Sequence, residues 1–317
     1  MIISHQGRQL TFPDFLIIGA ARSGTTYLYT VLSRHPQVFM PQEKEPQFLN
    51  YYGTKLKKTI SLGKIVDNWQ NYNLDQYSDL FRKAEEGMLL GEASVDYLSE
   101  YQQTIDNIRT LYQQAAARLK IVVVLRNPVD RAWSHHVLRF SKNNETLSFS
   151  EAIQPAVVAK RCQAGMLSTF DYLGYGLYAD KVRAWKKAFP HFRIWIYEEF
   201  FADLDHYMAE LAEFLGINMH NCLVVRQRVN ASGVAKNKIA RLFVDYLQKP
   251  DGWKKPLKKF LPQRMRQGLK RKATSKFLQR HKMNPDLRCQ LFEYYRNDIK
   301  ELETILNRSL DIWTPKL

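Results

Sequence analysis

Phe15 to Thr26 reads FLIIGAARSGTT. A short apolar run, Phe15 to Ile18, enters a loop bounded by Gly19 and Gly24, and a helix-compatible stretch follows from Thr25 to Ser33. The glycine spacing is that of the G-x-x-x-x-G-K-[ST] loop, in which backbone N–H groups and a helix N-terminus wrap an anionic phosphate. The lysine of that pattern is missing. Thr25 stands in its place, and the only cation, Arg22, lies inside the loop. A nucleoside triphosphate needs the lysine for its β- and γ-phosphates. The loop is therefore expected to hold a different nucleotide.

Working outward, Ile121 to Leu125 is a second continuous apolar run with the composition of a parallel strand buried on both faces. It passes through Asn127-Pro128, a suitable helix start, into Asp130 to Phe140. Arg193 to Tyr197 is a third candidate strand, reached from the helical stretch Tyr178 to Ala188, and Leu89 to Gly91 is a fourth. Tyr207 to Leu215 reads as a short helix stopped by Gly216. Leu287, Leu291, Tyr294, Tyr295, Ile299, Leu302 and Leu306 mark the apolar stripe of a closing helix over about 286–307. Strands alternating with helices predict an α/β fold: a phosphate-loop-containing, doubly wound parallel sheet flanked by helices, with ligands beyond the carboxyl ends of the strands.

With 317 residues, 45% of them apolar, the chain suits one α/β domain over 1–317. No apolar run approaches the ~18 residues of a membrane span. Met1 to Gln9 lacks the basic start and apolar stretch of a signal peptide, so the expected location is cytoplasmic. Cys162, Cys222 and Cys289 have no metal-ligand spacing and read as buried reduced thiols; no metal is implied. The net charge of +16 is concentrated: thirteen Lys or Arg stand against Asp251 between Lys249 and Lys282. This segment reads as a basic insertion, either a solvated face or a lid that attracts an acidic acceptor or a membrane surface.

Together these segments resemble the sulfotransferases that use 3′-phosphoadenosine 5′-phosphosulfate (PAPS), above all the heparan and polysaccharide type and its bacterial relatives. The resemblance rests on PDFLIIGAARSGTT (Pro13 to Thr26), EKEPQFL (Glu43 to Leu49) and KIVVVLRNPVDRAWS (Lys120 to Ser134). Weaker support comes from YLGYGLYADKVRAWKKAFP (Tyr172 to Pro190), IWIYEE (Ile194 to Glu199) and the closing helix. It implies sulfuryl transfer from PAPS to a hydroxyl or amine, most readily of a carbohydrate, with adenosine 3′,5′-bisphosphate (PAP) as product and no required metal.

The physical reading agrees with the resemblance. A donor with a 5′-phosphosulfate and a separate 3′-phosphate needs two anion pockets on neighbouring strand ends. Arg22, Ser23, Gly24, Thr25 and Thr26 supply the first through amides, hydroxyls and the helix dipole. Arg126 and Ser134 match the family's 3′-phosphate clamp; otherwise Arg126 is a strand-end ion-pair residue and Ser134 a solvated one. Arg22 stands where the family commonly has Lys, and its help to the departing phosphate would be electrostatic. Glu45 resembles the family's catalytic base, with Glu43 the runner-up because two carboxylates two residues apart on an extended chain point the same way. Both also fit surface carboxylates. Lys44 adjoins them as a possible donor or acceptor contact.

Tyr197 is placed either to stack on adenine or to pack in the core. Ser232 and Gly233 belong to a loop that would close over the donor's 3′-phosphate end. His135 and His136 read as structural. Gly91-Glu92-Ala93-Ser94 lacks a lysine that the family often carries where Ala93 stands, and Glu92, Ser94, Asp96 and Tyr97 are candidates for the acceptor cleft. Two other classes compete. A phosphate-loop kinase needs the missing lysine and a Mg²⁺-binding carboxylate after a strand. A nucleic-acid or anionic-polymer binder would rest on the basic segment alone, without a reading motif.

Overall fold

The computed structural model describes residues 1–54, 72–142, 144–164, 168–218 and 283–315, with short strand segments at Ile60–Ser61, Lys64–Ile65, Val234–Ala235 and Leu278–Gln279. Ser232, Gly233, Cys222 and nearly all of the basic segment 249–282 lie outside the described residues.

Five parallel strands form the central sheet: β1 (Phe15–Gly19), β2 (Val38–Phe39), β3 (Leu89–Ala93), β4 (Lys120–Leu125) and β5 (Phe192–Ile196). Their spatial order is β2-β3-β1-β4-β5. From β1 the chain runs to the outer edge at β2, returns to β3 beside β1, and then crosses to β4 and β5 on the other side. The carboxyl end of β1 is thus the switch point where open α/β sheets place their ligands.

The apolar runs form strands because both faces are covered. Leu16 and Ile18 of β1 join Ile121, Val123 and Leu125 of β4 in one core layer. Phe15 and Ile17 join Val122 and Val124 in the other. The first layer is closed by α3 (Tyr101–Tyr112), α4 (Pro128–Ser141), α5 (Ala179–Ala188) and α8 (Pro285–Leu306); the second by α1 (Thr25–Leu32) and α7 (Leu204–Leu215). Shorter helices include the single turns α2 (Phe48–Tyr51) and, directly after β5, α6 (Tyr197–Phe200). Among the described residues no helix is long and apolar enough to cross a membrane.

Three readings change. Tyr197 begins α6 and does not end β5, which stops at Ile196. α7 starts at Leu204, one turn before Tyr207, because the Asp203 side chain accepts from the His206 N–H and caps it, and Leu204 joins the apolar stripe of Met208, Leu211 and Leu215. Cys162 and Cys289 are exposed free thiols, being on the outer faces of their helices, and are not buried.

The closing segment fastens the end of β4. Asn127 caps α4 by accepting from the Val129 and Asp130 N–H groups, and Pro128 fills the first helical position. The Asn127 N–H donates to Glu198 Oε1 (3.1 Å), and its Nδ2 donates to the Trp313 carbonyl (2.8 Å). Trp313, buried, returns its Nε1–H to Glu198 Oε2 (2.9 Å). Replacing Trp313 by Phe keeps most of the ring packing but strands that carboxylate oxygen. It should cost roughly 1–3 kcal/mol, and Trp313→Ala roughly 3–5 kcal/mol, both read as a lowered urea midpoint.

Candidate active site

The glycine-bounded loop leaves β1 with two residues in the left-handed region, Arg22 (φ 71°) and Gly24 (φ 86°). A side chain at position 24 would also meet the Phe201 ring at 2.5 Å, so only glycine fits. Gly24 is the N-cap of α1 and offers no side chain to the first-turn amides, which stay available to an anion. Ser23 is fully buried, and its hydroxyl has no partner among the described residues. Thr25 and Thr26 open α1.

The two expected anion pockets touch. Arg22 Nε donates to Ser134 Oγ (3.1 Å), and Arg126 Nη1 donates to the Arg22 carbonyl (3.1 Å). The Arg126 guanidinium lies 4.8 Å from the Tyr197 ring centroid, and its buried Nε has no partner among the described residues. Tyr197 packs against Phe201 at 4.7 Å, so its ring forms a wall shared by the loop and the second cation. Burial, with the neighbouring Arg126 charge behind it, lowers the Arg22 guanidinium to about 10. It remains a cation at neutral pH, in a place that disfavours cations until an anion arrives.

A third arginine, absent from the sequence-derived set, completes this group. Arg131 is fully buried one turn into α4, donating to the Tyr172 carbonyl and lying 3.4 Å from His135 Nδ1. The second arginine of L-R-N-P-x-x-R was its only sequence signal. His135 is held neutral, pushed well below its ordinary range by burial and by Arg131, Arg139 and Arg22. His136, lowered chiefly by burial, is 2.9 Å from the Leu147 carbonyl and packs among Trp133, Phe140, Phe149 and Tyr172. Both histidines serve packing.

Glu45 is tied to the end of β3. Its N–H donates to the Ala93 carbonyl at the end of β3 (3.0 Å), and its half-exposed carboxylate pairs with Lys44. Its charge acts on Arg22, Asp96 and Glu92, in each case less than burial does. Glu43 diverges: its charge is felt by Tyr29 and Tyr72. The extended-chain argument for Glu43 fails because Glu45 itself has φ 62°. Among the described residues no group of His, Cys, Asp or Glu is arranged to hold a metal.

Glu92 and Tyr97 are core residues and not cleft lining. Glu92 is buried, with Oε2 accepting from Tyr77 and from Tyr97 (3.0 Å). Asp96 Oδ2 accepts from Gln47 Nε2 (2.9 Å) and Oδ1 from Tyr175 (3.3 Å). Burial raises Glu92 from 4.5 to about 7, and burial with the Glu45 charge raises Asp96 from 3.8 to about 7. The folded state therefore retains protons that the unfolded chain releases. The stabilising contribution is full below the unfolded values and is lost as pH rises through about 7. Glu92→Gln, neutral throughout, should flatten the fall in unfolding free energy between about pH 5 and 8 relative to the unmodified protein.

A parallel α/β sheet with a glycine-bounded loop at its switch point and a second cation on the adjacent strand end defines a protein of the P-loop α/β class. The chain belongs to the sulfotransferase family: the Sulfotransferase domain model matches residues 12–303. The crystal structure of a sulfotransferase from Alicyclobacillus acidocaldarius superposes with a TM-score of 0.69 at 25% identity, covering 96% of this chain and 100% of that one. Membrane-associated sulfotransferase kil1 of Dictyostelium discoideum is 30% identical over 50% of this chain. Human bifunctional heparan sulfate N-deacetylase/N-sulfotransferase 3 is 26% identical over 66%, and mouse heparan sulfate glucosamine 3-O-sulfotransferase 3A1 26% over 60%. The matches span 31%, 23% and 41% of these three relatives' lengths.

Proposed function

We propose that this protein transfers a sulfuryl group from PAPS to a hydroxyl or amine of a carbohydrate acceptor. The observation that supports the reading is the joining of the two anion-binding groups: Arg22 Nε donates to Ser134 Oγ (3.1 Å) and Arg126 Nη1 donates to the Arg22 carbonyl (3.1 Å), in a chain whose residues 12–303 match the sulfotransferase domain. The first-turn amides of α1, with Ser23, Thr25 and Thr26, receive the 5′-phosphate, while Arg126 and Ser134 receive the 3′-phosphate. Tyr197, already beneath the Arg126 guanidinium, offers the adenine an aromatic edge.

The acceptor oxygen or nitrogen attacks sulfur as the bond from sulfur to the 5′-phosphate oxygen breaks. The electron pair of that bond leaves on the phosphate, producing PAP, and the acceptor proton passes to the Glu45 carboxylate. Arg22, a fixed cation with little capacity to donate its proton, offsets the charge that builds on the departing oxygen. The carbohydrate assignment draws on the relatives that act on heparan sulfate by name.

The test is incorporation of radiolabelled sulfate from PAPS into a glucosamine hexasaccharide, which offers both hydroxyls and amines, beside cellohexaose. Glu45→Gln should lower turnover by roughly 10²–10⁴-fold with PAP affinity unchanged. Arg126→Ala should weaken PAP binding by roughly 10- to 100-fold. Full turnover in Glu45→Gln would remove it as the base, and no transfer to either sugar would contradict the carbohydrate assignment.

A further inference from the structure

Glu45 is carried by an irregular segment whose backbone is unusual for its residues. Glu45 has φ 62° and Gln47 φ 54°, two left-handed non-glycine residues on either side of Pro46. Residues with a Cβ adopt this region at a cost and keep it only where the surroundings over-determine it. Here the surroundings are the residues that follow β3.

The segment is laced to that stretch almost residue by residue. The Glu45 N–H donates to the Ala93 carbonyl (3.0 Å), the Gln47 N–H to Ser94 Oγ (3.2 Å), and the Leu49 N–H to the Tyr97 hydroxyl (3.2 Å). Gln47 Nε2 donates to Asp96 Oδ2 (2.9 Å), and the other Asp96 oxygen is held by Tyr175 (3.3 Å). Asn107 Nδ2 anchors the far end on the Leu49 and Tyr52 carbonyls (2.7 and 3.0 Å). Gln47 and Ser94 are buried, and Asp96 is 9% exposed. Gln47 is the only side chain of the left-handed pair turned inward; Glu45 is turned toward Lys44.

We propose that Gln47 and Asp96 are positioning residues for the transfer reaction: their hydrogen bond locks the Pro46 turn in the conformation that holds Glu45 between Arg22 and the acceptor. The inference rests on the reading of Glu45 as the base. Neither side chain touches the reacting atoms. They act through the direction in which the turn presents its carboxylate, where a displacement of about 1 Å is enough to cost roughly 10²-fold in rate.

The test pairs turnover with a readout that needs no acceptor. Gln47→Met keeps the buried volume and deletes the hydrogen bond. It should lower turnover from PAPS to the glucosamine hexasaccharide by roughly 10- to 100-fold, with PAP affinity within about twofold of the unmodified protein. The Glu45 amide, which donates to Ala93, should exchange with solvent faster by a similar factor. Asp96→Ala should behave in the same way. Asp96→Asn, whose carbonyl still accepts from Gln47 and whose amide reaches the Tyr175 oxygen, should recover most of the turnover and the slow exchange. Unchanged exchange at Glu45 in Gln47→Met overturns the proposal, as does an Asp96→Asn variant no better than Asp96→Ala. Faster exchange together with full activity in Glu45→Gln would instead remove the base and leave the locking of the turn intact.

Discussion

Three arginines, Arg22 in the loop, Arg126 at the end of β4 and Arg131 in the first turns of α4, are gathered together, and their hydrogen-bond partners include a serine hydroxyl, backbone carbonyls and a neutral histidine. Burial first, and then the like charge of Arg126, lowers the Arg22 guanidinium. Such a cluster survives only if the scaffold is rigid enough to hold it. That requirement accounts for much of the surrounding structure. β1 and β4 are buried on both faces; Asn127 caps α4 and is gripped by Glu198 and Trp313; Tyr178 donates to the Arg126 carbonyl (3.0 Å). The C-terminal segment, though far along the chain, is thus part of the mounting of Arg126.

The opposite wall follows another rule. There the buried groups are carboxyls, Glu92 and Asp96, made tolerable by tyrosine and glutamine donors and by raised proton affinity. Glu45, more exposed than either carboxyl, pairs with Lys44 and is tied by its N–H to the end of β3. A cation-rich group and a carboxyl-rich one suit the two tasks of the proposed group transfer: accepting charge on the leaving group and removing a proton from the incoming one.

What could be read in the sequence was what periodicity and spacing encode. The runs at Phe15 and Ile121 had to be strands, because continuous apolar stretches of that length suit a sheet covered on both faces. Asn127-Pro128 announced a helix, and the two glycines a phosphate loop. The direct joining of Arg22 to Ser134 was not legible, since spacing along the chain says nothing about how strand ends meet. Nor were the left-handed Glu45 and Gln47, which carry no residue-type signal; assuming an extended chain there misdirected Glu43. Cys162 and Cys289 were misjudged because cysteine is usually buried, whereas these occupy outward helical faces.

The central claim is that the loop and the Arg126 clamp together hold a nucleotide bearing phosphates at both its 3′ and 5′ positions. Calorimetric titration with PAP beside ATP, each with and without Mg²⁺, tests it most directly. The account predicts PAP binding in the micromolar range, indifferent to the metal, with ATP much weaker. Preference for Mg-ATP, or equal affinity for the two nucleotides, would contradict it.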